Sequence, residues 1–248
     1  MACQSSKEPL ETWAMASSKL YQYEVCPFCW KARVALALKG VDFEKIEVHP
    51  LKKKEIAFSA DYKKVPILVD ASGVQVNDSN AIMEHVDSAY EGVKLFAAAD
   101  TDERKKQEKW LNWSEGFVKG IPPLIYDTLP NALKAFDYIT KEGKFSWFQK
   151  RTIKYSGALV MKMVAKKSKE RQNITDPKQH IEDLVSEWEE ALAGNEFMGG
   201  STPDASDAAV FGITLSTKGL PAWKLFKGHP GYFSWMKRMS EKSNIPLS

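Results

Sequence analysis

The chain contains only three cysteines and four histidines among its 248 residues. Three cysteines cannot form the paired disulfides that hold small secreted domains together, so we expect a reducing compartment and a cytoplasmic location. Zinc usually needs four ligands, and the scattered histidines offer no second closely spaced pair to complete a site with Cys26 and Cys29. We therefore predict no metal site.

Excess charge of one sign is also lacking, because 35 lysines and arginines nearly balance 32 aspartates and glutamates. The basic residues are spread along the chain, which argues against a nucleic-acid-binding surface. The opening stretch, MACQSSKEPLETWAMASSK, has neither an apolar core of signal-peptide length nor an arginine-rich amphipathic pattern. We expect no nucleic acid partner, and a disordered tail over residues 1–18.

No stretch approaches the ~18 to 20 uncharged residues that a membrane-spanning helix needs. The nearest one, YSGALVMKMVAKK at 155–167, is interrupted by Lys162. It carries Leu159, Met163 and Val164 on one side and several lysines near or after them, which is typical of two structures. One is a buried helix with a lysine-rich end, and the other is a basic helix that lies on a membrane surface. We favour the buried helix and keep peripheral membrane contact as the alternative.

The pattern of apolar residues changes near residue 92. Before that point, strand-like stretches such as KLYQYEV and VPILVD alternate with helical ones, in the order βαβ, connecting helix, β-hairpin and final helix. After it the periodicity is helical almost throughout, with Pro or Gly between segments. The sequence predicts an α/β thioredoxin-like domain, 19–92, a linker, 93–102, and an all-α domain, 103–248.

Two cysteines three positions apart stand between a strand and a helix in YQYEVCPFCWKARVAL. At a helix N-terminus the free amide groups and the helix dipole stabilise a thiolate and lower the pKa of the thiol. Cys26 is therefore predicted to be the reactive thiol, and Pro27 suits the first turn of the helix. Cys29 lies one turn further in, where it either resolves a mixed disulfide or packs as an apolar residue.

Two further short motifs belong with the cysteines. In KKVPILVD, Pro66 begins a strand, where proline is unusual. A strand of this kind together with the cysteine pair resembles thioredoxin-like folds, in which this proline is cis and the residue before it presents its backbone to a bound thiol peptide. We therefore expect a cis Val65–Pro66 bond. In NDSNAIMEH, Asp78 or Ser79 caps the next helix, and this helix start suits the charged ends of a γ-glutamyl group. The set predicts a glutathione site.

A third capping signal lies in the second half of the chain. In TPDASDAAVFG, Ser206 and Asp207 resemble the N-cap of a buried helix. We expect these two residues to have a structural role and no part in the thiol chemistry.

The motifs CPFC, VPIL and NDS, followed by a long helical half, resemble the glutathione transferase superfamily. Three longer stretches are similar to one branch of it, the prostaglandin E synthase type 2 family: EVHPLKKKEIAFSADYKKVPILV, FDYITKEGKF at 136–145 and FMGGSTPDASDAAVFGI at 197–213. The resemblance runs from about residue 19 to about residue 235, nearly the whole chain.

The resemblance implies isomerisation of prostaglandin H2, a lipid endoperoxide, to prostaglandin E2, by a protein that is a homodimer. It makes Cys26 the catalytic thiol and places Tyr23 where it orients the substrate or the thiol, although Tyr23 could equally be a packed strand residue. Cys29 stays a second candidate at the catalytic site, and Phe28 would line the pocket. The implied glutathione-binding residues are Val65, Pro66, Asp78 and Ser79.

The same resemblance implies haem, bound together with glutathione and ligated by its thiolate. The segment 110–130 has no histidine, so we expect haem to bind weakly. Two other functions remain open: a glutaredoxin-like or omega-type thiol transferase or dehydroascorbate reductase in which Cys29 resolves the mixed disulfide, and a non-catalytic protein that binds glutathione or haem.

Overall fold

The structure is a computed structural model that describes residues 17–50, 52–142 and 147–247. The predicted tail, 1–18, lies outside these ranges except for its last two residues. Ser18 is already the first residue of a strand and is buried.

The first half of the chain forms a four-stranded mixed sheet. In chain order its elements are β1 (Ser18–Gln22), α1 (Pro27–Leu38), β2 (Phe43–Glu47), β3 (Ile67–Val69), β4 (Gln75–Asn77) and α2 (Ser79–Ala89). The strand order is β2-β1-β3-β4, with β1 parallel to β2 and the other two pairs antiparallel. The predicted βαβ unit, formed by β1, α1 and β2, and the predicted β-hairpin, formed by β3 and β4, are confirmed.

The two faces of this sheet are covered unequally. Side chains of α1 and α2, such as Leu36 and Ile82, pack against Leu20 and Leu68 on one face. On the other face, the connection between β2 and β3 contributes only a 3₁₀ turn, Lys54–Ile56. The predicted connecting helix is therefore wrong, because only Ile56 of this turn is buried and a helix needs a longer apolar stripe to be held on a sheet.

The second half of the chain is helical. Its helices are α3 (Asp102–Tyr126), α4 (Leu129–Glu142), α5 (Trp147–Arg171), α6 (Pro177–Leu192), α7 (Ala205–Leu215), α8 (Trp223–Lys227) and α9 (Pro230–Ser243). Among the described residues of this half, the only β-type pairing is an isolated bridge between Phe197 and Gly200. The predicted fold class is confirmed, and the exact domain boundaries stay a prediction.

Helix α7 is buried along its whole length, and it packs against α1 and α3. Its N-cap is Asp204, whose carboxylate accepts hydrogen bonds from the amides of Ser206 and Asp207. The prediction that Ser206 and Asp207 form the cap is wrong by two or three positions. Asp207 completes a capping box with Asp204 instead.

The Asp207 carboxylate also connects α7 to its surroundings. Its Oδ1 accepts from the Met198 amide at 3.0 Å and from Nε1 of Trp235 at 2.8 Å, and its Oδ2 accepts from the amides of Gly199 and Asp204 at 3.2 and 3.0 Å. The residue is completely buried. Four donors on one buried carboxylate fasten the start of α7 to α9 and to the preceding loop.

Helix α5 does not match its predicted burial. It packs on α3 and α4 through small side chains such as Ala158 and Ala165. Leu159, Met163 and Val164, which were expected to be buried, are 57, 55 and 41% exposed. Periodicity showed that they share a side but could not show which side meets the core. Among the described residues, no helix has both the length and the apolar character that crossing a membrane requires.

Candidate active site at the start of α1

Cys26 lies in the short connection between β1 and α1. Its backbone is extended, with φ −83° and ψ 120°, and it is the N-cap of α1, with Pro27 directly after it. The Cys26 amide donates to the carbonyl of Tyr23 at 3.0 Å, and the Cys26 carbonyl accepts from the Trp30 amide at 3.0 Å. This turn places the Cys26 sulfur at the free end of the helix, as the sequence predicted.

The two cysteines have opposite environments. Cys26 is half-buried and Cys29 is completely buried. The Cys29 thiol donates a hydrogen bond to the Cys26 sulfur, and this bond, together with the nearby amides of Cys29 and Phe28, outweighs burial and lowers the pKa of Cys26. Neither amide forms a capping bond of regular geometry. Burial and the Cys26 thiolate raise the pKa of Cys29 well above its usual range. Both pKa directions and both burials agree with the predicted order of reactivity.

Tyr23 follows β1 and is half-buried beside the thiols. Its ring packs against Val48, Ile56 and Ile67, so it takes part in a small core. Burial and then the negative charges of Cys26 and Cys29 raise the pKa of Tyr23 to about 12. Its hydroxyl therefore stays protonated at neutral pH and is available as a hydrogen-bond donor. Tyr23 can thus be a packed core residue and still orient the thiol or a substrate.

Glu47, at the end of β2, destabilises the Cys26 thiolate. Its carboxylate accepts hydrogen bonds from the Glu24 amide at 3.0 Å and from the Gln22 side chain at 3.4 Å. Burial raises the pKa of Glu47, and its negative charge raises the pKa of Cys26. The sequence showed Glu47 only as an alternating strand residue and gave no signal of this proximity.

The predicted glutathione-binding residues lie just before β3 and at the start of α2. The Val65–Pro66 bond is cis, which confirms that expectation. Val65 packs on the same small core as Tyr23. Asp78 is the N-cap of α2, and its carboxylate accepts from the Asn80 amide at 2.9 Å. Asp78 is exposed with φ 77°, a strained conformation for a residue other than glycine, whereas Ser79 is buried.

Tyr62 connects these two parts of the site, and sequence reasoning missed it. The Asp78 amide donates to its hydroxyl, and burial, followed by the charges of Asp78, Cys29 and Cys26, raises its pKa. Its ring packs with Tyr23 and Val65. Tyr62 lies in an irregular loop, SADYKK, where no periodicity or capping pattern marks it. It is a second protonated phenol near the thiols.

A partly buried ion pair joins α1 to α3 just over one turn beyond Cys26. The Lys31 side chain is completely buried, and its Nζ lies 3.0 Å from Oε1 of Glu115. Lys31 Nζ is also 5.8 Å from the centre of the Phe28 ring, which packs on the main core. Phe28 therefore faces the helical half, and its place in the lining of a pocket stays a prediction. The pairing spans 84 positions of sequence and no local pattern indicates it.

The donor set at β3 and α2 fits glutathione. The exposed Asp78 carboxylate suits an ammonium group, and the free amides of the first turn of α2 suit a carboxylate. The Cys26 sulfur suits a thiol ligand. Haem fits less well, because the start of the helical half, 110–126, has no histidine, and His85 is already paired with Asp70 at 2.8 Å. We derive no step through haem.

Comparison with known proteins gives the same assignment. The family model described as "Glutathione S-transferase, N-terminal domain" matches residues 20–94. The chain is 33% identical over 264 residues to prostaglandin E synthase 2 of Danio rerio, covering 90% of this chain and 70% of that protein. The corresponding protein of Mus musculus is 31% identical over 264 residues, covering 89% and 68%.

Among solved structures, a glutathione S-transferase from Rhodospirillum rubrum is similar, with a TM-score of 0.62 and 18% identity over 93% of this chain and 91% of that chain. At this identity the likeness shows the fold alone. The curated relatives, in contrast, match in sequence over most of their length. The chain therefore belongs to the prostaglandin E synthase 2 family of the glutathione transferase superfamily.

Proposed function

We propose that this protein isomerises prostaglandin H2 to prostaglandin E2 with the Cys26 thiolate as its reactive group. The observation that carries the proposal is the Cys26 sulfur, half-buried at the start of α1, with a pKa lowered by the Cys29 thiol and two backbone amides. Two protonated phenols, Tyr23 and Tyr62, lie near this sulfur. A nucleophile beside hydrogen-bond donors suits the cleavage of a peroxide bond.

The reaction moves no net electrons between enzyme and substrate. The Cys26 sulfur bonds to the endoperoxide oxygen on carbon 9, the O–O bond breaks, and the oxygen on carbon 11 takes a proton. Tyr23 or Tyr62 can donate to that oxygen because both stay protonated at neutral pH. The phenolate left by this donation then takes the proton on carbon 9, which forms the ketone, breaks the S–O bond and returns both the thiolate and the phenol.

Glutathione is the second small molecule in this proposal. Val65, Asp78 and Ser79 would hold it, with Asp78 at the ammonium end and the first turn of α2 at a carboxylate. Bound there, glutathione supplies a thiol reductant. Its function would be to keep Cys26 reduced, because a sulfur oxidised to a disulfide with Cys29 cannot attack the endoperoxide.

The test compares three single substitutions of cysteine in the full chain. Purified protein is given glutathione and prostaglandin H2, and the product is identified by mass spectrometry above the background of heat-inactivated protein. We expect Cys26→Ser to reduce the rate ~100-fold or more, the scale of loss when a catalytic group is removed. Cys29→Ser should keep most of the activity, and Cys3→Ser, the matched control, should keep all of it. Equal rates for the wild type and Cys26→Ser would exclude this mechanism.

Thiol transfer is the second candidate, and the hydrogen bond between the two cysteine side chains favours it. Sulfurs that share a hydrogen bond are placed to form a disulfide, so Cys29 could resolve a mixed disulfide on Cys26. With a protein disulfide as substrate, Cys29→Ser would then stop turnover. Faster reaction with the disulfide than with the endoperoxide, together with this dependence on Cys29, would replace the isomerase proposal.

A further inference from the structure

Helix α5 carries most of the apolar side chains that the described residues expose. Of the nine large apolar or aromatic side chains that are exposed in the described ranges, six belong to α5: Trp147, Tyr155, Leu159, Val160, Met163 and Val164. The last five lie within ten residues and repeat at intervals of four, so they occupy one side of the helix. The opposite side packs on α3 and α4.

Helix α5 as a whole is also strongly basic. Between Trp147 and Arg171 the sequence has eight lysines and arginines and a single acidic residue, Glu170, a net charge of +7. The whole chain has a net charge of +3, so all other residues together carry −4. Lys162, Lys166 and Lys167 are exposed beside the apolar side chains. The positive charge of the protein is therefore concentrated on the helix that carries most of the large apolar side chains exposed in the described ranges.

Two partners could cover these exposed apolar side chains: a second copy of the chain or a lipid bilayer. The charge of α5 favours the bilayer. A second copy docked through the same side by two-fold symmetry would bring one +7 helix against another, which is unfavourable. An anionic lipid bilayer can bind both the apolar side chains and the lysines. Apolar side chains enter the boundary between headgroups and acyl chains, and the flanking lysines reach the negative headgroups.

We propose that this side of α5 is a peripheral binding surface for membranes that contain anionic phospholipids. We call it the α5 surface and define it by Tyr155, Leu159, Val160, Met163 and Val164 with Lys162, Lys166 and Lys167. No bilayer crossing is involved, because the helix lies along the interface. The binding is independent of the thiol chemistry, since none of these residues belongs to the site at α1.

The experiment is co-sedimentation of the full chain with vesicles. One set is pure phosphatidylcholine, and the other contains phosphatidylserine at about one third of the lipid. We expect at least tenfold stronger binding to the anionic vesicles, and its loss at high salt, because basic residues are attracted to anionic surfaces over only about one Debye length.

Two double variants and two matched controls assign the binding to the α5 surface. Lys166→Glu with Lys167→Glu replaces two positive charges by two negative ones, and Leu159→Ser with Met163→Ser removes the apolar contact. Each double variant should weaken binding at least tenfold. The charge control is Lys224→Glu with Lys227→Glu, at exposed positions of α8. The apolar control is Val74→Ser, at a side chain that is 48% exposed. Both controls should bind as the wild type does.

Three results would overturn the proposal. One is no difference between the two kinds of vesicle at low salt, and another is unchanged binding by both α5 variants. The third comes from gel filtration without lipid: conversion of a dimer to a monomer by Leu159→Ser with Met163→Ser would show that a second copy covers this surface. Thermal unfolding of each variant confirms that lost binding does not come from lost folding.

Discussion

Gly212 of α7 lies against the backbone of Trp30 and Lys31 in the first half of α1. A methyl group added at Gly212 therefore tests how tightly α7 packs on the helix that carries Cys26 at its start. A Cβ at position 212 would lie 2.7 Å from the Lys31 amide nitrogen and the Trp30 carbonyl carbon, and 2.8 Å from the Trp30 oxygen. Ordinary contact begins at 3.4 Å, so α1 and α7 must separate by about 0.7 Å at this point. The contacts are backbone atoms, which no change of rotamer can move away.

We expect Gly212→Ala to lower the free energy of unfolding by about 2 kcal/mol, within the ~1 to 3 kcal/mol typical of overpacked cores. For a chain of this length, that is a fall of roughly 4 to 8 °C in the melting temperature. Alkylation of Cys26 at neutral pH should change less than about twofold, because the amides that stabilise its thiolate belong to α1 itself and move with it.

Gly116→Ala in α3 is the matched control, since a Cβ at that position would meet nothing within 4 Å. It should raise stability by about 0.5 to 1 kcal/mol, through helix propensity and lower entropy of the unfolded chain. The two substitutions are chemically identical, yet Gly212→Ala should lower the free energy of unfolding and Gly116→Ala should raise it. Urea unfolding of both measures the difference, and a stabilising Gly212→Ala would refute the close approach of α1 and α7.

Three further predictions concern carboxylates. Asp207→Asn should cost about 3 kcal/mol in urea unfolding, because the new amide group would face two N–H donors that now pair with Oδ2. Burial raises the pKa of Asp70, but hydrogen bonds from Ser72, Val74 and His85 outweigh it and lower the pKa from 3.8 to about 2. The resulting stability, about 2 kcal/mol, is present above pH ~4 and is lost as the pH falls through ~2, so Asp70→Asn should flatten acid unfolding in that range. Glu47→Gln should make Cys26 alkylate faster at neutral pH, because loss of a nearby negative charge lowers the thiol pKa.

The parts of the site that follow from local rules were predictable from sequence. Cys26 with Pro27 at a helix start and the cap at Asp78 each need only a few neighbouring residues to be recognised, because the local backbone decides them. The cis bond at Pro66 needed more, since its expectation came from the combination of a strand start with the cysteine motif.

The parts that depend on contacts distant in sequence were not predictable. Tyr62 reaches Asp78 from an irregular loop, and Lys31 meets Glu115 across the two halves. The cap of α7 was predicted at Ser206 and Asp207, and only the point where the chain becomes helical shows that Asp204 is the cap. Periodicity placed the apolar residues of α5 on one side without showing that this side faces outward.

The central claim, that the Cys26 thiolate carries out the isomerisation, is tested most directly by one pH profile. The kcat/KM for prostaglandin H2 is measured from about pH 5 to about pH 9, beside the alkylation rate of Cys26 resolved by peptide mass spectrometry in the same wild-type protein. Both rates should rise over the same pH range with a midpoint below the ~8.5 of free cysteine, since protonation removes the nucleophile as the pH falls. An isomerisation rate that stays flat while Cys26 alkylation rises through its midpoint would contradict the account.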